Sequence, residues 1–159
     1  MLPISEHISY AEATRSQTAQ RMGIENVPNA VHLAAMRLVA AVCFEPARKH
    51  VGGPILVTSF FRSLELNKAI GGANTSQHMR GEAMDIKAPD GAKYTTADVF
   101  RYIRKNCEFD QLIWEFGDER NPDWVHVSFS LARNNRNEVL TAKKENGKTV
   151  YEKRPKWKD

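Results

Sequence analysis

The feature that most constrains the fold is a long apolar segment at residues 30–49. Its apolar residues recur at helical spacing but cover more than one stripe of the helix surface, which is typical of a helix surrounded by protein. Asn29, after Pro28, is a favourable start for this helix, and Pro46 is expected to kink or end it. The segment therefore predicts a central buried helix around which the rest of the chain packs.

Short runs rich in β-branched and aromatic residues follow this segment and predict strands. We expect strands at 55–60, 82–87, 111–116 and 124–130, then a hairpin of 139–144 with 148–152 around Asn146-Gly147. Further helices are expected at 10–22 (one helix, or two separated near residues 14–16) and at 63–70. Another helix is expected after residues 95–98, ending near residue 106. This order predicts an α+β domain, in which N-terminal helices pack on a mostly antiparallel sheet with a C-terminal β-hairpin.

The composition is that of one ordinary globular domain, so we expect residues 1–159 to form a single unit. Hydrophobic residues make up 42% of the chain and charged residues 26%, which excludes a disordered protein. Cys43 and Cys107 form no Cys-x-x-Cys motif and are expected to be reduced core residues. The sequence predicts no membrane span and no secretory signal, so we expect synthesis in the cytoplasm.

The positive charge is concentrated in the C-terminal hairpin and tail, residues 143–159. This segment carries a net charge of +4, equal to that of the whole chain, so the remainder is neutral. Such a tail can attract an anionic polymer, either nucleic acid or bacterial cell wall, or it can simply be a solvated end. Nucleic-acid binding is not expected, because no aromatic stacking pattern or recognition-helix motif accompanies the charge.

A first group of residues with chemical potential lies around the predicted strand at 82–87. Because side chains alternate along a strand, Asp85 shares a face with Ala83, while the larger apolar residues take the other face. A carboxylate among small and apolar neighbours needs a partner. Gly81 allows the chain to turn back, which can bring His78 beside Asp85.

A second group lies on the predicted strand at 124–130, where His126 and Ser128 share a face. Asp123 comes just before this strand, after Pro122. If the strand starts with a bulge or a bend, Asp123 and His126 can reach one point. The two groups together supply two histidines and two carboxylates.

His78, Asp85 and His126 form a set of two histidines and one carboxylate, which zinc binds with a fourth position open to water. Iron takes the same ligand types, so the residues alone leave the metal open. With one zinc ion here, Asp123 would be placed as the general base for amide hydrolysis. The helical His-Glu-x-x-His signature of other zinc peptidases is absent from the sequence.

The pattern Ser76-x-His78-x-x-Gly81-x-Ala83-x-Asp85, followed some 40 residues later by Trp124-x-His126-x-Ser128, resembles the zinc D-alanyl-D-alanine carboxypeptidase family. That family includes vancomycin-resistance dipeptidases and carboxypeptidases and phage endolysins, and its fold is related to that of hedgehog signalling domains. Further segments resemble its small phage-type members: Ser5-Glu-His7, Asn26-Val-Pro28, Thr58 to Arg62, Leu66-Asn67, Gly71-Gly72-Ala73 and Phe109 to Ile113.

The resemblance implies a role for each matching residue. His78, Asp85 and His126 match the zinc ligands, and Asp123, three residues before the last ligand, matches the catalytic acid/base. Arg62 matches the arginine that holds the substrate and stabilises the oxyanion. The remaining histidines match no ligand position: His7, His32 and His50.

Other residues near these motifs leave alternatives open. Ser76 is expected either to line the substrate pocket or to cap the turn. Glu115 is the rival candidate for the base, although its place within a strand favours a structural role. Trp114 and Trp124 are expected in the core or in the pocket wall. Phe60 stands where relatives often have glycine, which bears on substrate preference.

We therefore expect a zinc-dependent peptidase that hydrolyses an amide bond in bacterial peptidoglycan stem peptides. It would act as a D-Ala-D-Ala carboxypeptidase or as an L-Ala-D-Glu-type endopeptidase. The alternative is a non-catalytic, zinc-containing cell-wall-binding module of the same fold. The lack of a secretory signal fits a phage lysin, released by a holin or carried in a virion, that acts on the bacterial cell wall as a monomer.

Overall fold

The computed structural model describes residues 2–154 of the chain. The helices are α1 (Tyr10–Thr14), α2 (Gln17–Met22), α3 (Ala30–Val39), α4 (Glu45–Val51), α5 (Leu64–Ala69) and α6 (Thr96–Asn106), with a 3₁₀ turn at Gln77–Arg80. The strands are β1 (Leu56–Ser59), β2 (Ala83–Lys87), β3 (Gln111–Glu115), β4 (Trp124–Ser128), β5 (Glu138–Glu145) and β6 (Lys148–Lys153). Residues 155–159 of the basic tail lie outside the described part of the chain.

The strands of the described chain form one six-stranded sheet in the order β1-β2-β4-β3-β5-β6. Neighbouring strands are antiparallel, except that β3 and β5 run parallel. The β5–β6 hairpin turns at Asn146 and Gly147, both of which have positive φ, as this turn requires. The prediction of an α+β fold with a mostly antiparallel sheet and a C-terminal hairpin is confirmed.

The long apolar segment is one continuous helical rod, in which a π-helical turn at Ala40–Phe44 joins α3 to α4. Pro46 does not end it, contrary to one of our two expectations. The N–H of Glu45 bonds to the carbonyl of Ala40, five residues back, so the ladder changes register directly before the residue that lacks an N–H. Gly52, in the left-handed conformation, ends the rod.

By length and composition alone the rod, Ala30–Val51, could also cross a membrane, which we did not expect from the sequence. Only one face of the rod is packed, so the expectation of a helix surrounded by protein is wrong: Val31, Ala34 and Ala41 are exposed. Met36, Val39, Cys43 and Phe44 are fully buried in the main core of the protein, against residues of the sheet. A helix with one face in a protein core can satisfy the same criteria of length and apolar content as a membrane span.

The two faces of the sheet differ in character because side chains alternate along each strand. One face packs into the core beneath the helices. Its members are at most 1% exposed: Met84, Ile86, Leu112, Trp114, Val125 and Val127. The opposite face carries Asp85, His126 and Glu115, of which Asp85 and Glu115 are buried and His126 is half-buried.

Candidate metal centre

Asp85 and His126 lie directly opposite each other on the adjacent antiparallel strands β2 and β4. Side chains that face each other in this way are close enough to interact. Nδ1 of His126 is 2.9 Å from Oδ1 of Asp85. The strand register therefore brings together two residues that are 41 positions apart in the sequence.

His78 reaches the same point from the 3₁₀ turn that precedes β2. Its side chain is buried, with Nε2 3.3 Å from Oδ1 of Asp85. Gly81 ends the turn with φ +72°, and a Cβ there would lie 2.6 Å from the carbonyl oxygen of His32 on α3. This close approach lets the turn fold back against α3, which places His78 above β2.

A hydrogen bond from Nδ1 of His78 orients the ring so that Nε2 faces Asp85. Nδ1 donates a hydrogen bond to the carbonyl oxygen of Phe60 at 2.7 Å. Burial lowers the pKa of His78, so the ring is neutral at pH 7 and its Nε2 presents a lone pair. A backbone carbonyl that orients an imidazole in this way is a common support for a metal-binding histidine.

The three candidate ligand atoms lie within 4.8 Å of one another. Burial alone would raise the pKa of Asp85, but the electrostatic influence of His78 and the hydrogen bond from His126 outweigh it and hold that pKa well below its usual range. An ionised carboxylate oxygen and an imidazole lone pair thus face each other, an arrangement that a cation between them stabilises. Two nitrogen donors and one oxygen donor fit zinc. The assignment of these residues as ligands stays a prediction.

Arg62 occupies the other oxygen of Asp85. Its Nη2 is 2.8 Å from Asp85 Oδ2, and its Nε donates to Ser59 Oγ at 2.8 Å. The backbone N–H of Arg62 donates to the carbonyl of His78 at 3.2 Å. Arg62 is therefore held in contact with a candidate ligand by its side chain and its backbone, at the end of β1.

Asp123 precedes β4 and is exposed. Its backbone N–H donates to the carbonyl of Glu115 at 3.0 Å. The loop before it closes tightly, since Gly117 has φ +67° and a Cβ there would collide with the backbone oxygen of Asn121. This closure carries Asp123 back to the sheet, where it shares a shallow cavity with Asp85.

Three further residues line that cavity: Thr58, Lys87 and Trp124. The pocket wall was one of the two expectations for Trp124, whereas the sequence did not indicate Thr58 or Lys87 as site residues. Thr58 donates its hydroxyl to the carbonyl of Asp85 at 3.1 Å. Lys87 is two positions after Asp85 on the same strand, so period-2 alternation could have placed it on this face. The carbonyl of Phe60 carries no signal in the sequence, because any residue supplies one.

The structure distinguishes between the alternatives that were open for Trp114, Trp124 and Ser76. Trp114 is buried in the core and packs edge-to-face on Phe100, whereas Trp124 lies on the cavity face. The hydroxyl of Ser76 makes no capping hydrogen bond, so the capping alternative is wrong and a role in the pocket stays a prediction. The histidines outside the centre have other contacts: His7 with Glu45, His32 with Asn29 and His50 with Tyr102.

Glu115 lies on the same face of the sheet, opposite Trp124 on β4, and is 8% exposed. Burial raises the pKa of its carboxyl to about 7, and the nearby charge of Asp85 adds to the shift, while His126, Arg62 and Lys144 oppose it. Glu115 is therefore partly protonated near neutral pH. This property makes it a chemically competent rival to Asp123.

We expect metal-free wild type to lose stability relative to Glu115→Gln as the pH rises from about 5 to about 8. The pKa of about 7 in the folded chain exceeds the ordinary value of 4.5, so the unfolded state releases the proton first and is favoured as pH rises. The relative loss should reach on the order of 1–3 kcal/mol. Urea unfolding in chelator measures it, with Glu25→Gln, an exposed glutamate, as control. Parallel pH profiles for wild type and Glu115→Gln would contradict the expectation.

The model of the family described as Peptidase M15 matches residues 6–128. The match includes Arg62, Asp123 and the three candidate ligands, and it ends with the last residue of β4, before the β5–β6 hairpin. No curated protein gives a significant match. The family indicated by the sequence motifs is thus confirmed, and the chain belongs to the Peptidase M15 family of zinc D-alanyl-D-alanine carboxypeptidases.

Proposed function

We propose that this protein hydrolyses an amide bond in the stem peptides of bacterial peptidoglycan, with zinc as its cofactor. Membership of the family supports a hydrolase, a zinc peptidase of the cell-wall type in general. One observation carries the proposal for this chain: His78, Asp85 and His126 form a cluster, and Asp85 of this cluster lines a cavity together with Asp123. The substrate and the residue roles are our proposal.

Zinc bound to such a donor set lowers the pKa of a water molecule and polarises a substrate carbonyl. Asp123 is proposed to accept the proton of the attacking water and to pass it to the leaving amine. A C–O bond forms at the carbonyl carbon, the C–N bond breaks, and the amine leaves with that proton. The exposed position of Asp123 in the cavity supports this role, because both water and the leaving group can reach its carboxylate.

Arg62 is proposed to bind the substrate and to stabilise the negative charge that develops on the carbonyl oxygen. A guanidinium suits this task because it stays charged and offers several donors in a fixed plane. Its Nη2 and Nε are held by Asp85 and Ser59, which orients the group before the substrate arrives. Preorganised donors of this kind stabilise the transition state without being reoriented during the reaction.

The site of action is proposed to be the bacterial cell wall, where the substrate lies. The β5–β6 hairpin carries lysines on an edge of the sheet, and Lys143 pairs with Glu152 while Lys148 stands at the turn. The net positive charge of the hairpin and tail supports attraction to an anionic wall. This attraction should weaken with salt, because exposed charges are screened.

The test is mass spectrometry of purified peptidoglycan after incubation with the full-length protein. We expect new amine and carboxyl termini at one kind of stem-peptide bond. These products should disappear with a zinc chelator and return when zinc is added back. The masses of the products identify the bond.

A second readout measures wall binding, so that a protein that binds the wall without cleaving it is distinguished from one that does neither. Pull-down with insoluble peptidoglycan measures binding in the same samples. Wall binding by the zinc-loaded protein without any cleavage product, over several wall types, would contradict the peptidase proposal and support the non-catalytic binding module.

A further inference from the structure

A second cavity adjoins the candidate metal centre on the side of α1 and α2. Its volume is about 620 Å³. It shares Thr58 with the cavity that holds Asp85 and Asp123, and Arg62 lies in its wall. The two cavities are therefore neighbours, and a peptide bound across the metal centre can extend into both.

All the charged side chains that line this second cavity are positive. Three arginines line it: Arg15, Arg21 and Arg62. None of the lining residues within 2–154 carries a carboxylate. Residues 1–142 are neutral overall, and Arg62 is already paired with Asp85. Arg15 and Arg21, with no acid among the lining residues, therefore form a local excess of positive charge.

The fold fixes this arrangement of arginines. Arg15 lies at the break between α1 and α2, where the chain leaves the helical conformation. The amide nitrogen of Asn26 donates to the carbonyls of Thr14 and Phe61, at 2.9 and 3.0 Å. Asn26 thus ties the residue before Arg15 to the residue before Arg62.

Two more hydrogen bonds strengthen the same connection. The backbone N–H of Phe61 donates to the carbonyl of Ala13 at 3.1 Å, and that of Ser63 donates to Oδ1 of Asn26 at 2.7 Å. The backbones that carry Arg15 and Arg62 are held together independently of any substrate. Preorganisation of this kind lowers the cost of binding.

We propose that this cavity is a subsite for a carboxylate of the substrate, with Arg15 and Arg21 binding the carboxylate beside Arg62. Guanidinium groups form charge-assisted, often bidentate, hydrogen bonds with carboxylates. The substrate is then an acidic peptide, with a free carboxylate on the α1–α2 side of the bond that is cut. The inference rests on the proposed function, because stem peptides carry D-glutamate, whose carboxylate is free in some walls and amidated in others.

The experiment uses two stem peptides that differ only in whether the D-glutamate carboxylate is free or amidated. With wild-type protein at low salt, we expect the KM for the amidated peptide to be about tenfold higher. Arg15→Gln should reduce this ratio to about twofold, because it raises the KM for the free acid alone.

Two control variants show whether the effect of Arg15→Gln comes from the lost charge or from a change in structure. Arg37→Gln removes one exposed arginine from α3, outside the cavity, and should keep the wild-type ratio. Arg15→Lys keeps the charge and should retain most of the preference for the free acid. A rise in KM for both peptides alike in Arg15→Gln would overturn the subsite and indicate a structural role for Arg15.

A binding measurement distinguishes failure of the subsite from failure of the proposed function. Both peptides are titrated calorimetrically into zinc-loaded Asp123→Asn, with and without Arg15→Gln. A preference for the free acid that depends on Arg15 supports the subsite, even if wild type cleaves neither peptide and the peptidase proposal fails. Cleavage of both peptides with equal KM overturns the subsite while the peptidase stands. If neither cleavage nor preferential binding is observed, both the subsite and the peptidase proposal are overturned.

Discussion

Replacement of His126 by alanine should remove the bound zinc and lower peptide hydrolysis by at least about a thousandfold. The variant keeps only His78 and Asp85 of the three candidate ligands, and two protein ligands hold zinc poorly. The fold should survive, because His126 lies on the face of the sheet away from the main core while Val125 and Val127 anchor the same strand in that core. Loss of metal can therefore be separated from unfolding.

The measurement is the zinc content of the dialysed protein by elemental mass spectrometry, together with the hydrolysis rate. A third readout is the rise in melting temperature on adding zinc, since a metal that binds only the folded state stabilises it. Wild type should show this rise and His126→Ala should not. His50→Ala, which removes a histidine stacked on Tyr102 away from the centre, should behave as wild type. About one zinc per chain retained in His126→Ala would show that the ligand assignment is wrong.

Replacement of Asp123 by asparagine should lower turnover by about 10²–10⁴-fold while zinc content stays near that of wild type. Asparagine has nearly the same shape as aspartate but cannot accept the proton of the attacking water. The loop should keep its conformation, because Asp123 is held through its backbone N–H and through the turn at Gly117. The expected signature is a large loss of kcat in a folded, metal-loaded protein.

Glu119→Gln is the matched control, since it removes an exposed carboxylate from the same loop and should leave kcat unchanged. Glu115→Gln completes the set, because the buried Glu115 is the rival base on the same face of the sheet. If Asp123→Asn keeps its turnover and Glu115→Gln loses it, the general base is Glu115. A loss in both variants, with zinc retained, would mean that both carboxylates take part in proton transfer.

Much of the fold could be predicted from local patterns. The strands begin and end within about two residues of the sequence expectation, because period-2 alternation and turn residues are local signals. The place of the β5–β6 hairpin in the sheet could not be predicted, because Asn146-Gly147 specifies only the partner strand within the hairpin. The parallel pairing of β5 with β3 is accompanied by contacts between residues distant in the sequence, in which buried Asp110 is bound by Arg133 and Arg136.

For the candidate site too, local sequence patterns predict some features, while others depend on contacts between distant parts of the chain. Alternation correctly placed Asp85 and His126 on faces that could meet, but only the strand order brings them opposite each other. The support of His78 by the carbonyl of Phe60 involves a backbone atom and leaves no trace in the sequence. The pKa of Glu115 depends on burial by the finished fold, which a strand pattern alone does not specify.

The contact between Arg62 and Asp85 has a consequence for metal selectivity. Because Arg62 occupies Oδ2, Asp85 offers a single oxygen, Oδ1, toward the two histidines. Calcium prefers six to eight oxygen ligands, often with a bidentate carboxylate, and this centre denies it that denticity. Two imidazole nitrogens and one carboxylate oxygen would instead suit zinc and its spectroscopic substitute cobalt. In addition to its proposed role at the substrate, Arg62 would therefore disfavour abundant hard cations at the proposed metal centre.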